Sequence, residues 1–156
     1  MLLVLACAAT LVAQSPDLSG TWKLNTAASR HTHNVGLTGL GAAGAPRTLY
    51  ITQAANGVLT VGSDVNESMA RTYVVGADST VPLVTGQKVA APTRWMGREL
   101  VTEATGVKES MALSADGQTL TVTVTVGAAT STLSYKKTLT EEPCAAWPTP
   151  CRANRR

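Results

Sequence analysis

Residues Gln118 to Val126 read QTLTVTVTV. Leu120, Val122, Val124 and Val126 fall on one face, and Thr119, Thr121, Thr123 and Thr125 on the other. Side chains alternate with period two along a strand, and β-branched residues suit both faces of a pleated surface. Just before this run, Ala115-Asp116-Gly117 supplies a tight turn in which glycine reaches positive φ without a Cβ clash.

The same grammar recurs outward from that strand. Asn56-Gly57 separates Arg47–Gln53 from Val58–Asp64, and Met96-Gly97 separates Pro92–Trp95 from Arg98–Thr105. Gly76-Ala77-Asp78 ends Met69–Val75 and opens a further short segment. Turns therefore recur about every 20 residues, one hairpin of two strands per period. The expected strands are Leu18–Asn25, Arg47–Gln53, Val58–Asp64, Met69–Val75, Gly86–Ala91, Thr93–Met96, Arg98–Thr105, Val107–Ser114, Gln118–Val126 and Thr130–Thr140. No helical stripe of ten or more residues interrupts them, and no crossover is long enough for parallel pairing. The fold class is all-β, an antiparallel up-and-down meander of 8–10 strands. Closing it into a barrel removes its edges; a two-sheet β-sandwich is the alternative. One long stretch, Thr26–Pro46, stays irregular, with Gly36, Gly39, Gly41 and Gly44. Its glycine-rich part, 34–46, reads as a surface loop or as a mobile cover at one mouth of the barrel.

Composition supports a single domain. The chain has 156 residues, is 44% hydrophobic and 15% charged, and contains no Phe. That is too apolar for a disordered chain. Residues 1–13, MLLVLACAATLVA, are uncharged and end on a small residue before Gln-Ser-Pro-Asp. They read as the core of a signal peptide, too short for the ~18 apolar residues of a membrane span. Val4-Leu5-Ala6-Cys7 also partly fits a lipoprotein signal, which would anchor the chain through Cys7. The expected organisation is a signal peptide at 1–13, a barrel domain at 14–142 and a Cys/Pro/Arg-rich tail at 143–156. The expected location is secreted or periplasmic.

Cys144 and Cys151 share that proline-rich tail, with six residues between them. In an oxidising compartment a local disulfide is favoured over free thiols; a metal or redox pair would need further ligands or a C-x-x-C spacing. The net charge of +3 owes much to Arg152, Arg155 and Arg156 at the end of the tail. Lys and Arg are otherwise scattered, so no nucleic-acid face is expected.

Parity singles out candidate interior polar residues. Arg71 shares a face with Met69, Tyr73 and Val75, and Glu109 with Val107, Met111 and Leu113. If those faces point inward, a guanidinium and a carboxylate enter the barrel and must pair or hold a polar ligand. A bulge turning either outward is the competing outcome. Glu103 and Arg94 are expected on the surface. His31 and His33 form an H-x-H that could chelate a metal with a third ligand, though a surface pair is favoured. No nucleophile elbow, phosphate-binding loop or dinucleotide motif occurs. Neither a catalytic residue nor a metal ligand is therefore assigned, and no cofactor is expected.

Leu18-Ser-Gly-Thr-Trp-Lys-Leu-Asn resembles the opening strand of calycins, the superfamily of lipocalins and fatty-acid-binding proteins. Gly20 and Trp22 match its G-x-W motif, whose Trp closes one barrel end. Ser19–Asn25, Trp95–Val101, Leu113–Thr123 and Tyr135 together are similar to a mostly uncharacterised group of secreted bacterial lipocalin-like domains. The resemblance implies a barrel; the leading expectation is a monomer that binds a small apolar or amphipathic molecule inside, with Arg71, Tyr73, Glu109, Met111 and Tyr135 as candidate ligand-binding residues. The alternative is a non-catalytic envelope module with a filled barrel. Fatty-acid-binding proteins carry Arg-x-Tyr on the last strand; here Leu133-Ser134-Tyr135 lacks the Arg. For the basic residue that packs on the lipocalin Trp, Lys136 and Lys137 are the candidates.

Overall fold

The computed structural model describes residues 15–30, 45–63, 70–82 and 88–138. Residues 1–13, Cys7, His31, His33, Cys144 and Cys151 lie outside them, so the signal peptide, the H-x-H pair and the disulfide are not addressed.

Ten strands form one antiparallel sheet. They are β1 Gly20–Leu24, β2 Thr48–Gln53, β3 Val58–Ser63, β4 Arg71–Val74, β5 Asp78–Pro82, β6 Lys88–Met96, β7 Glu99–Ala104, β8 Val107–Leu113, β9 Thr119–Val126 and β10 Ala129–Thr138. Their spatial order is β4-β3-β2-β1-β10-β9-β8-β7-β6-β5. Sequence neighbours pair everywhere except between β4 and β5, and β10 returns to β1, so the meander curls into a nearly closed barrel rather than a sandwich.

β4 and β5 are the two ends of that sheet, and they are consecutive in sequence. The seam between them is held by few bonds. Val74 N–H donates to Ser79 Oγ at 2.7 Å. Gly76 N–H reaches across to Thr93 O at 2.8 Å. These contacts occupy backbone groups that an open sheet edge would leave unpaired.

The strand count of ten is met, but two elements differ from expectation. Gly86–Ala91 and Thr93–Met96 are one strand, β6, and Asp78–Pro82 is a strand of its own. Proline normally breaks a ladder because it lacks an N–H. Pro92 escapes this because it sits where β6 changes partner: residues 88–92 pair with β5 and residues 93–96 with β7. Turns are also closer together than one per hairpin. In the second half β6, β7, β8 and β9 each end in a turn, at Gly97, Gly106, Gly117 and Gly127, all at positive φ.

The stretch after β1 is not wholly irregular either. Thr26–Ala28 forms a 3₁₀ turn, capped by the Asn25 side chain, which accepts from Ala28 N–H at 3.3 Å. Arg30 then bridges to Thr132 on β10 through two backbone bonds of 2.7 and 2.6 Å.

Alternation puts the apolar face inside. Leu120, Val122 and Val124 of β9 are fully buried, while the threonines between them are half-buried on the outer face. The core gathers fifteen residues from the N-terminal segment and every strand but β5, none more than 3% exposed.

One end is closed by the segment that precedes β1. Leu18 is fully buried, and its carbonyl accepts the Trp22 indole N–H at 3.0 Å. Gln53, at the end of β2, ties this segment down. Its side-chain oxygen accepts Leu18 N–H at 3.1 Å, and its backbone N–H donates to Ser19 Oγ at 2.9 Å. Lys137 lies over the Trp22 ring, 5.2 Å from the centroid, a cation–π contact. Of the two lysines considered, Lys137 fills this role; Lys136 points out and donates to Thr119 Oγ1.

Gly20 permits that stack. Its φ is +148°, and a Cβ there would come within 2.8 Å of Lys137 Cε. Gly20→Ala should lower the unfolding free energy by about 1–3 kcal/mol in denaturant melts. The loss should shrink in a Lys137→Ala background; an equal loss there would mean that backbone strain alone is responsible.

Candidate functional site

The sequence placed Arg71 and Tyr73 on one strand face and Glu109 on another, with the inward direction of each left open. The two faces meet. Arg71 Nη1 donates to Glu109 Oε2 at 3.1 Å, and Tyr73 Oη donates to Glu109 Oε1 at 2.7 Å. The guanidinium also lies 5.5 Å from the Tyr73 ring centroid. Arg71 is 3% exposed, Glu109 1% and Tyr73 0%. Neither bulge nor slip turns these residues outward.

Each member is placed by its strand. Arg71 and Tyr73 are alternate residues of β4, which pairs with β3 through Arg71↔Val61 and Tyr73↔Leu59. Glu109 lies mid-β8, its register partners Thr102 on β7 and Val124 on β9. β4 and β8 are not neighbours, so the ion pair crosses the barrel interior.

Electrostatics follow from that burial. Desolvation opposes the charge on Arg71, but attraction to Glu109, with Tyr73 and Tyr135 contributing, outweighs it and holds the guanidinium protonated above its ordinary range. Burial pushes the Tyr73 phenol well above its ordinary value, and Glu109 pushes the same way; Arg71 pulls against them. Tyr73 therefore stays neutral and a donor.

The other two candidates lie in the same interior. Met111 is 2% exposed, two residues along β8 from Glu109. Tyr135 is fully buried, and its hydroxyl donates to Pro46 O at 3.2 Å, tying β10 to the approach of β2. Arg94 and Glu103 pair at 2.8 Å on the surface, as expected.

A row of buried hydroxyls was not foreseen. Thr93 Oγ1 lies 2.9 Å from Thr102 Oγ1 and 3.4 Å from Ser79 Oγ. With Glu109 beside Thr102 in register, and Ser79 accepting from Val74, this row follows the inner wall from β8 through β7, β6 and β5 to β4. The ion pair is the chord of that arc. Threonine is equally common on outer faces, so only the closed register reveals which ones turn inward.

No buried side-chain polar atom among the described residues lacks a hydrogen bond. Nor does any group of three metal-ligating side chains occur among them, and no helix there is long and apolar enough to cross a membrane. A cleft of about 470 Å³ lined by Lys23, Leu24, Thr26, Arg47 and Thr48 does not include any member of the triad.

No family model matches the chain, and no curated protein matches it in sequence. Solved structures do match in fold. A structure described as the REP1-NXSQ fatty acid transporter aligns with TM-score 0.60 and 16% identity, over 80% of this chain and 98% of its own. Human cRBP IV aligns with TM-score 0.61 and 15% identity, over 79% and 99%. The zebrafish ileal bile acid-binding protein, solved with cholic acid, aligns with TM-score 0.53 and 20% identity, over 77% and 98%. At these identities the likeness establishes a lipocalin-like barrel.

Two outcomes follow from the triad. Glu109→Ala should cost about 3–5 kcal/mol of stability, because it leaves a guanidinium buried without its partner. Arg71→Met combined with Glu109→Leu should cost less than Glu109→Ala alone; an equal or larger cost would show that the pair itself stabilises the core. The second outcome concerns alkali. Tyr73 has a raised folded-state pKa, so its contribution to stability is complete below about pH 10 and is lost as the pH rises beyond it. Stability measured between about pH 9 and 11 should fall less steeply in Tyr73→Phe than in the wild type.

Proposed function

We propose that this chain is a lipocalin-like binding protein that takes one small apolar or amphipathic molecule into its barrel. It acts outside the cytoplasm after loss of residues 1–13. The observation that carries the reading is the buried Arg71–Glu109–Tyr73 cluster, set in an otherwise largely aliphatic interior. An ion pair is a costly way to fill a core, since well-packed apolar residues often serve as well or better. A few convergent polar groups in an apolar interior are what orients a ligand. The matched structures support it: one is described as a fatty acid transporter, another as a bile acid-binding protein. Among the described residues no catalytic constellation competes, and binding without chemistry is the reading adopted.

One observation favours the second reading, a filled envelope module without a ligand. The core side chains are at most 3% exposed, so uptake requires them to move apart. The seam between β4 and β5, with the fewest cross-strand bonds, is where parting costs least.

Native mass spectrometry of the full chain expressed in a secreting host separates the two. A co-purifying small molecule, and a blue-shifted Nile red emission on titration, are expected for the binder. Repeatedly ligand-free protein that leaves the dye unchanged would instead establish the filled barrel. The same intact mass reports removal of residues 1–13, and its change on reduction reports the Cys144–Cys151 bond.

A further inference from the structure

Among the described residues the interior holds one balanced pair of charges. Among the described residues, Arg71 and Glu109 are the only charged side chains that are buried. Both Glu109 oxygens are engaged, one by Arg71 and one by Tyr73. A ligand carboxylate arriving here would find its one buried cation already matched. It would set two carboxylates on one guanidinium in a dry interior, where one must take up a proton or leave. A ligand ammonium would have to compete with Arg71 for Glu109, and an uncompensated cation would remain.

A neutral head group meets neither obstacle. The row of Ser79, Thr93 and Thr102 reaches the same region, and each hydroxyl both donates and accepts. A ligand hydroxyl can join such a row by exchanging partners, without bringing in a net charge.

We propose that the barrel selects an amphipathic molecule with an uncharged, hydroxyl-type head, and discriminates against the carboxylate and the ammonium of the same chain. This rests on the reading that the barrel binds a small molecule at all, and it adds the class of ligand. Arg71 and Glu109 set the preference jointly: whichever charge is removed, the remaining one recruits its opposite.

Equilibrium dialysis of the full chain against radiolabelled dodecanol, dodecanoate and dodecylamine, each below its micelle concentration at neutral pH, tests this. Wild-type protein should bind dodecanol at least about tenfold more tightly than either ionised chain. Glu109→Gln keeps an acceptor for Tyr73 and frees Arg71; dodecanoate should then gain at least about tenfold relative to dodecanol. Arg71→Gln should shift the preference toward dodecylamine instead. Ionised chains that bind the wild type as tightly as dodecanol would overturn the proposal while leaving the binding reading intact. A Glu109→Gln protein with an unchanged order would overturn the placement of the head beside the triad. If none of the three chains binds, the binding reading itself falls, and this inference with it. Should the single variants fail to fold by circular dichroism, Arg71→Gln with Glu109→Gln is neutral and similar in shape. That protein must keep the dodecanol preference, and losing it would sink the proposal.

Discussion

A ten-stranded meander has two free ends, and this molecule depends on bringing them together. β4 and β5 follow one another in sequence but lie at opposite ends of the sheet. They do not form a ladder with one another. The barrel closes instead through substitutes: a serine hydroxyl taking a backbone N–H, and a glycine reaching past β5 to β6. Curling the sheet this far carries the inner face of β4 toward that of β8. Arg71 and Glu109 can pair only because closure brings those faces within reach.

The polar groups thus form one system with the closure. The hydroxyl row runs along the wall from β8 to β4, and the ion pair crosses the space it encloses. Each group is satisfied by another, which offsets part of the desolvation penalty of burying them. The opposite end of the energetic scale is the Trp22 plug. There an indole, the lysine over it and the buried segment before β1 pack together, tied by hydrogen bonds of Trp22 and Gln53. The barrel is therefore apolar and sealed at that end, and polar across its middle.

Much of this could be read from residue order, and the places where reading failed are instructive. The alternation of Leu120, Val122 and Val124 against threonine gave the face of β9 correctly, because parity is local. Parity also put Arg71 with Tyr73 and Glu109 with Met111, and the structure turned both faces inward. Parity divided β6 at Pro92, where a proline in a strand normally signals a break. The strand survives because its neighbour changes at that residue, a fact set by pairing several residues away. Parity was equally silent about Thr93 and Thr102. Threonine suits either face of a strand, and here two of them are among the most buried polar residues described.

By itself, then, the sequence determined the strand period, the turns at glycine, the antiparallel meander and the shared faces of Arg71 with Tyr73 and of Glu109 with Met111. These follow from two-residue periodicity and from φ values that only glycine adopts cheaply. The tertiary structure alone decided that Arg71 meets Glu109, that Lys137 rather than Lys136 covers Trp22, and that three hydroxyls line up beside the ion pair. Such meetings join residues dozens of positions apart. They depend on the register and curvature with which the whole sheet closes, and no short window of sequence carries that information.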